Sequence, residues 1–347
     1  MVEPRAVNAV TASVESKMEP EATEVVAEPA TTDPAPVKSK RSRLYSFLAL
    51  ALQIGCVLYI GKVLFEQRAE LARAFELDWT ALTALLLLSA VTHVQRTYEF
   101  TYMLRRLGVH EPFRDGFWLT GAGFLLNQLP FNAGLVMRAS VLKRDHSLSY
   151  TSYLALVLVN ALMNVTVAAI LGIVVVLLTP MSQGALVGLS VLFGAIVAGA
   201  ALVFWLPAGW IPSGENFVVR KLRTLTTGIS LIRRGRAIAL LFVLAISKVV
   251  VAAVRMWICF GALGVDIAPL AAALLASITV LSTLFNITPG NMGLRELALA
   301  GLSTHLSASY SVGMAAASID RVVLLVYTVV TGLPGLYKLR KRGPFKS

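Results

Sequence analysis

The feature that most constrains this chain is a set of apolar runs long enough to cross a lipid bilayer. An α-helix rises 1.5 Å per residue, so about 20 apolar residues cross a hydrocarbon core of about 30 Å. Six runs reach that length, at 44–65, 79–103, 150–178, 184–206, 237–263 and 310–333. Only 14% of the 347 residues are charged, and the mean hydropathy is +0.73. The sequence therefore predicts an all-α, polytopic membrane protein.

Two further apolar regions are interrupted by proline and glycine. The first covers 115–145 and breaks at Pro130, and the second covers 268–306 and breaks at Pro289. Each half of about 15 residues would reach only about 22 Å as a helix, so each region is either a re-entrant hairpin or one broken span. The basic loops all face the cytoplasm only if both hairpins are re-entrant. We therefore predict about six full spans plus two re-entrant helical hairpins, with both termini cytoplasmic.

The two breaks belong to an internal repeat. Residues 127–135 and 286–294 share the pattern N-x-x-P-x-N-x-G-L at a constant offset of 159. The same offset relates Arg96 to Arg255, and an offset of 160 relates Asn160 to Asp320. The repeats cover about 79–178 and 237–335, and the predicted topology makes them inverted. Inverted repeats with interrupted helices near the bilayer midplane are typical of secondary transporters. A packing kink without a substrate is the alternative.

Charged residues inside the apolar stretches form the candidate site. An ionisable residue at that depth is costly, so it is usually paired and faces a cavity. Arg96 and Glu99 could neutralise each other, Arg138 could instead anchor the membrane interface, and Asp320 could pair with either Arg255 or Lys248. The predicted substrate-binding residues are Arg96, Asn132, Gly134, Arg138, Arg255, Pro289, Gly290, Asn291, Gly293, Arg295, Glu296, Asp320 and Arg321. Helix N-termini and arginines suit a phosphate, so an anionic phospholipid or a lipid-linked phosphate is the expected ligand.

The remaining sequence sets the domain limits and excludes other classes. Residues 1–37 hold seven acidic and two basic residues without apolar periodicity, so 1–43 is predicted to be a disordered cytoplasmic tail before a membrane domain over 44–340. No nucleotide-binding loop, nucleophile elbow or metal-ligand spacing occurs. We therefore expect no catalytic residues, no metal and no cofactor. The basic balance points to the membrane surface and not to nucleic acid.

The motifs resemble one known family. Residues 130–138 followed by 150–178, and the segment TPGNMGLRE at 288–296 followed by Asp320-Arg321, are similar to the lysylphosphatidylglycerol synthase transmembrane region, a flippase-like family. The likeness covers about 44–340. The first repeat departs from the family pattern, with Leu135 where an acid is common and Asn160-Ala161 where Glu-Arg is common. The large soluble aminoacyl-transfer domain is missing, so lysyl transfer by this chain is not expected.

The resemblance implies a multi-pass protein of the bacterial inner membrane that handles anionic, modified or isoprenoid-linked lipids. Our leading hypothesis is a lipid transporter and not an enzyme. The alternative is an accessory protein that presents lipid to a separate glycosyl- or acyltransferase. Membrane lipids are the expected partners, and the sequence leaves open a homo-oligomer and a lipid-modifying transferase.

Overall fold

The structure is a computed structural model that describes residues 78–128, 132–205, 235–283, 293–306 and 308–341, apart from the side chains of 204, 205 and 340. The predicted tail and the predicted span at 44–65 lie outside the described residues. So do three predicted site residues, Pro289, Gly290 and Asn291.

The described residues fold into nine α-helices and no strand, which confirms the all-α prediction. They are α1 Trp79–Arg106, α2 Phe113–Leu126, α3 Ala133–His146, α4 Tyr150–Leu178, α5 Gln183–Trp205, α6 Gly235–Gly261, α7 Pro269–Ser282, α8 Leu294–Ser303 and α9 Tyr310–Lys341.

Four of the described helices are long and apolar enough to cross a membrane. They include all of α4 and α6 together with Gln183–Val203 of α5 and Tyr310–Leu339 of α9. The chain is thus a polytopic membrane protein, and these helices correspond to four of the predicted spans. With 28 residues, α1 is also long enough, but polar side chains such as Gln95, Arg96 and Glu99 reduce its apolar character. Asp78 caps this helix, and hydrogen bonds from the Thr80 hydroxyl and N–H lower the pKa of its carboxyl.

The same turn ends the first long helix of each repeat. Gly108 has φ +77° and Gly264 has φ +69°, a left-handed conformation that suits glycine. The next residue then donates back to the last turn, from Val109 N–H to Leu104 O at 3.0 Å and from Val265 N–H to Phe260 O at 3.1 Å. These are the hydrogen bonds of a Schellman cap. Each long helix is therefore stopped at the point where a hairpin begins.

The two repeats have the same order of helices and a mirrored pattern of contacts. Each consists of a long helix, two short helices and a second long helix: α1 to α4 in the first and α6 to α9 in the second. The last helix of each repeat packs along the first hairpin helix of the other, α9 on α2 and α4 on α7. The first helices, α1 and α6, contact each other directly. The two repeats are therefore intertwined and do not fold side by side.

Most of the described hydrophobic core forms two clusters, one around each hairpin. The cluster around α7 and α8 includes Leu85 near the start of α1 and Val175 near the end of α4. The cluster around α2 and α3 includes Leu104 near the end of α1 and Tyr153 near the start of α4. The first part of α6 belongs to the cluster around α2 and α3, and its later part belongs to the cluster around α7 and α8. The two hairpins thus pack at opposite ends of the same long helices.

Candidate functional site

The second break begins α8 with a glycine and an acidic cap. Gly293 has φ +87°, and its N–H donates to Glu296 Oε2 at 2.8 Å. The other oxygen of the Glu296 carboxylate accepts a hydrogen bond from Arg321 on α9. An acidic residue in the first turn also suits the positive end of a helix. Glu296 is buried, so it both caps α8 and joins that helix to α9.

A single carboxylate holds two arginines in the second repeat. Asp320 on α9 lies 2.5 Å from Arg255 Nη2 on α6 and also pairs with Arg295 on α8. The predicted pair between Asp320 and Arg255 is therefore present. All three side chains are buried, with 2% to 8% of their surface exposed. Among the described residues, the Nε atoms of both arginines have no hydrogen-bond partner. This triad keeps one net positive charge and two unused donors.

After the first break, the helix begins at a different position of the shared motif than it does after the second break. Asn132 takes the left-handed conformation with φ +51°, and α3 begins at the next residue. Gly134, which matches Gly293, therefore lies inside α3, where a Cβ atom would sit 1.8 Å from Gly123 O on α2. In the second repeat Glu296 can accept the Gly293 N–H, but the matching residue here is Met137, which cannot. In the first hairpin, the backbones of α2 and α3 pack closely against each other instead.

Two arginines of the first repeat lie against one aromatic ring. The guanidinium carbons of Arg96 and Arg138 lie 4.6 and 5.5 Å from the centre of the Phe124 ring, which places them no more than about 10 Å apart. Arg138 Nε also donates to Gly134 O at 3.3 Å. Within the described part of the chain, neither guanidinium forms a salt bridge. No carboxylate there compensates the formal positive charge of either group.

Arginines from both repeats converge. Arg96 lies within electrostatic range of Arg138 on α3, Arg255 on α6 and Arg295 on α8. Its own side chain is exposed. We call Arg96, Arg138, Arg255 and Arg295 the arginine cluster.

A buried ion pair next to the cluster joins the two repeats. Lys248 Nζ on α6 lies 2.7 and 2.6 Å from the two carboxylate oxygens of Glu99 on α1. Asn160 on α4 donates to the same carboxylate at 3.4 Å and in turn accepts from Asn164. Glu99 therefore pairs with Lys248 and not with Arg96. This pairing leaves Arg96 available.

The structure brings most of the predicted site residues together. The arginine cluster gathers Arg96, Arg138, Arg255 and Arg295, while Asp320, Glu296 and Arg321 support it from α8 and α9. Asn132, Gly134 and Gly293 set the backbone at the two breaks and contribute no charge. Sequence reasoning had noted Glu99 and Lys248 at membrane depth but did not place them in the site, and it missed Phe124. Its only signal was an aromatic residue next to the small segment 121–123, three residues before the motif.

The fold and these charged breaks define a class: a polytopic α-helical membrane protein made of two copies of a four-helix unit, with arginines of both copies in one cluster. The model of the lysylphosphatidylglycerol synthase TM region matches residues 46–332, and the chain belongs to that family. The resemblance read from the motifs is thus confirmed. No curated protein matches the chain.

Proposed function

We propose that the protein is a lipid transporter of the bacterial inner membrane, which moves an anionic phospholipid or a lipid-linked (isoprenoid) phosphate. In this proposal about six spans and two re-entrant hairpins form an inverted repeat, with both termini in the cytoplasm. Support comes from the packing of the two hairpins at opposite ends of the same long helices. Interrupted helices that meet between inverted repeats form the substrate sites of many secondary transporters.

The observation that carries the proposal is the arrangement of Arg96 and Arg138 around Phe124. A charged side chain at membrane depth normally has a counter-ion, because the apolar surroundings do not solvate it. These two guanidinium groups rest on an aromatic ring instead. An arginine fork matches the oxygen spacing of a phosphate, so a phosphate head group is the natural counter-ion.

The second repeat has a supporting role in this proposal. Asp320 fixes the positions of Arg255 and Arg295, and Glu296 fixes the start of α8. The unused Nε donors of the two arginines are then held in place for an anionic ligand. No chemical step on the lipid forms part of the proposal.

The test is lipid movement in vesicles that contain the purified full chain. The Arg138→Gln variant should slow the movement of a labelled anionic phospholipid about tenfold or more, because a charge-assisted contact to the head group is lost. Arg144→Gln is the matched control on the same helix, since Arg144 is bound to its neighbour Asp145 at 2.6 Å. Equal rates in the two variants would reject the assignment.

One observation favours an alternative. Arg255, Arg295 and Arg321 are all held by buried carboxylates, which suits a rigid surface that binds lipid without moving it. Such a protein would present lipid to a separate glycosyl- or acyltransferase. Wild-type protein that binds the labelled lipid, moves none of it and stimulates an added transferase would replace the transport proposal with this one.

A further inference from the structure

The charges in and around the arginine cluster do not cancel. Lys248 with Glu99 and Arg321 with Glu296 form neutral pairs. The triad of Arg255, Arg295 and Asp320 keeps one positive charge. Arg96 and Arg138 add one each, so the described residues leave three positive charges within one region. A single negative charge on a ligand would not balance them.

Lipid phosphates differ in the charge they bring. A phosphodiester, as in phosphatidylglycerol, carries one negative charge and two free oxygens. A terminal phosphate carries about −1.5 to −2 at pH 7 and has three acceptor oxygens, because its second pKa is about 6. A diphosphate carries still more. Since uncompensated charge is costly at membrane depth, the site should favour the ligand that neutralises more of its excess.

The donors of the arginine cluster also suit a terminal phosphate. Arg96 and Arg138 approach from the first repeat, while the free Nε donors of Arg255 and Arg295 lie in the second. Donors on four different helices can contact three oxygens from several directions. A phosphodiester has fewer acceptor oxygens for these donors, which is unfavourable for the buried Nε groups of Arg255 and Arg295.

We infer that the site binds a lipid whose head group ends in a phosphomonoester or a diphosphate, in preference to a phosphodiester lipid. This inference rests on the proposed function and names its substrate class. The lipid tail can be a diacylglycerol or an isoprenoid, because the recognised chemistry is the terminal phosphate.

The test compares dioleoyl phosphatidic acid with dioleoyl phosphatidylglycerol, which share the same acyl chains. Binding to the purified full chain in detergent should be about tenfold tighter for phosphatidic acid at pH 7.5, the effect of about one extra charge-assisted contact. Farnesyl phosphate serves as the isoprenoid probe and should share the advantage over phosphatidylglycerol. Inorganic phosphate should compete only weakly. If it competes as well as the lipids do, the site is one for free phosphate and the inference is overturned.

The pH dependence provides a second readout. Between pH 7.5 and 5 the terminal phosphate gains a proton and loses about one negative charge, whereas the phosphodiester and the arginines keep theirs. The advantage of phosphatidic acid should therefore shrink several-fold at pH 5. His93 lies beside Phe124, and Glu99, Lys248 and Asp320 also face the cluster, so protein titration needs a control. The His93→Gln variant should show the same pH dependence of the preference for phosphatidic acid, and the affinity for phosphatidylglycerol should not change with pH. If the variant loses that pH dependence, or if phosphatidylglycerol binding varies with pH, the pH effect belongs to the protein.

Matched variants tie the preference to the cluster. Arg96→Gln should reduce the preference for phosphatidic acid to about threefold or less, whereas Arg106→Gln on the same helix should preserve it. Arg106 is a fair control because it lies over its own aromatic ring, Tyr102, at 5.1 Å. The comparison of lipids on the wild-type chain stands even if Arg96→Gln fails to fold. Equal binding of both lipids with normal lipid movement would overturn this inference alone. Absence of both binding and movement would also overturn the proposed function.

Discussion

The two repeats stabilise their arginines in opposite ways. In the second repeat Arg255 and Arg295 share Asp320, and Arg321 pairs with Glu296, all among buried side chains. In the first repeat Arg96 and Arg138 contact Phe124 and form no salt bridge within the described ranges. The shared pattern of breaks is thus accompanied by carboxylate-held arginines in the second repeat and, in the first, by arginines with no carboxylate partner among the described residues. In the proposed function, the second repeat therefore holds the site in place, and the first supplies the arginines that meet the lipid phosphate.

Removing the shared carboxylate should have the largest effect on this contrast. Asp320→Asn leaves two buried arginines without their anion, and loss of one partner from a buried ion pair costs about 3–5 kcal/mol. We expect a clear fall in the melting temperature of the purified protein in detergent. Asp145→Asn is the control, because the Arg144–Asp145 pair is far more accessible and should contribute about 1 kcal/mol or less. A stable Asp320→Asn protein would show that the second repeat does not depend on its ion pairs.

The link between the repeats can be tested with a double-mutant cycle. Glu99→Gln should destabilise the protein by about 2–3 kcal/mol, because Lys248 loses its counter-ion in a mostly buried position. Adding Lys248→Met removes the second charge and should restore most of the stability, since a neutral pair packs without an unpaired ion. Thermal unfolding of the four proteins measures the coupling. Additive losses would mean that Glu99 and Lys248 do not act as a pair.

The close backbone packing of the first hairpin should have an intermediate effect. Gly134→Ala places a Cβ atom against Gly123 O and forces α2 and α3 apart, at a cost of about 1–3 kcal/mol. The same change at Gly188 on α5 meets no atom within 4 Å and should be neutral or slightly stabilising. Melting temperatures of the two variants give the comparison. A Gly134→Ala protein as stable as Gly188→Ala would contradict the observed packing.

The smallest effects should come from the backbone conformations at the two breaks. Gly293→Ala forces a side chain into φ +87° and should cost about 1–2 kcal/mol. Asn132→Ala at φ +51° should cost less than about 1 kcal/mol, because the native residue already has a side chain in that conformation. Chemical unfolding in detergent can rank the two. The opposite ranking would mean that the first break, and not the second, carries the stricter backbone requirement.

Much of the architecture followed from local sequence properties. Apolar run lengths predicted six spans, and four of them coincide with described helices that are long and apolar enough to cross a membrane. Proline with glycine predicted where each hairpin is interrupted, between α2 and α3 and between α7 and α8. The charges at membrane depth also predicted that Asp320 pairs with either Arg255 or Lys248, and the structure has the pair with Arg255. Local sequence could not choose the partner of Glu99, because Lys248 is 149 residues away and only tertiary packing brings them together. Nor could the shared motif show that, relative to its own residues, α3 begins two positions earlier than α8 does. That difference depends on whether an acid nearby can accept the Gly293 N–H.

The ion pair between Lys248 and Glu99 has an electrical consequence. The membrane potential acts on displaced charge with about 2.3 kcal/mol per elementary charge per 100 mV. The pair is neutral, so a shift of α1 and α6 that carries both ions together moves no net charge through the field. A rearrangement at this contact between the repeats would then be insensitive to voltage. Within the described site, the net charge that the field can act on lies on the arginine cluster and, in the proposed function, on the lipid phosphate.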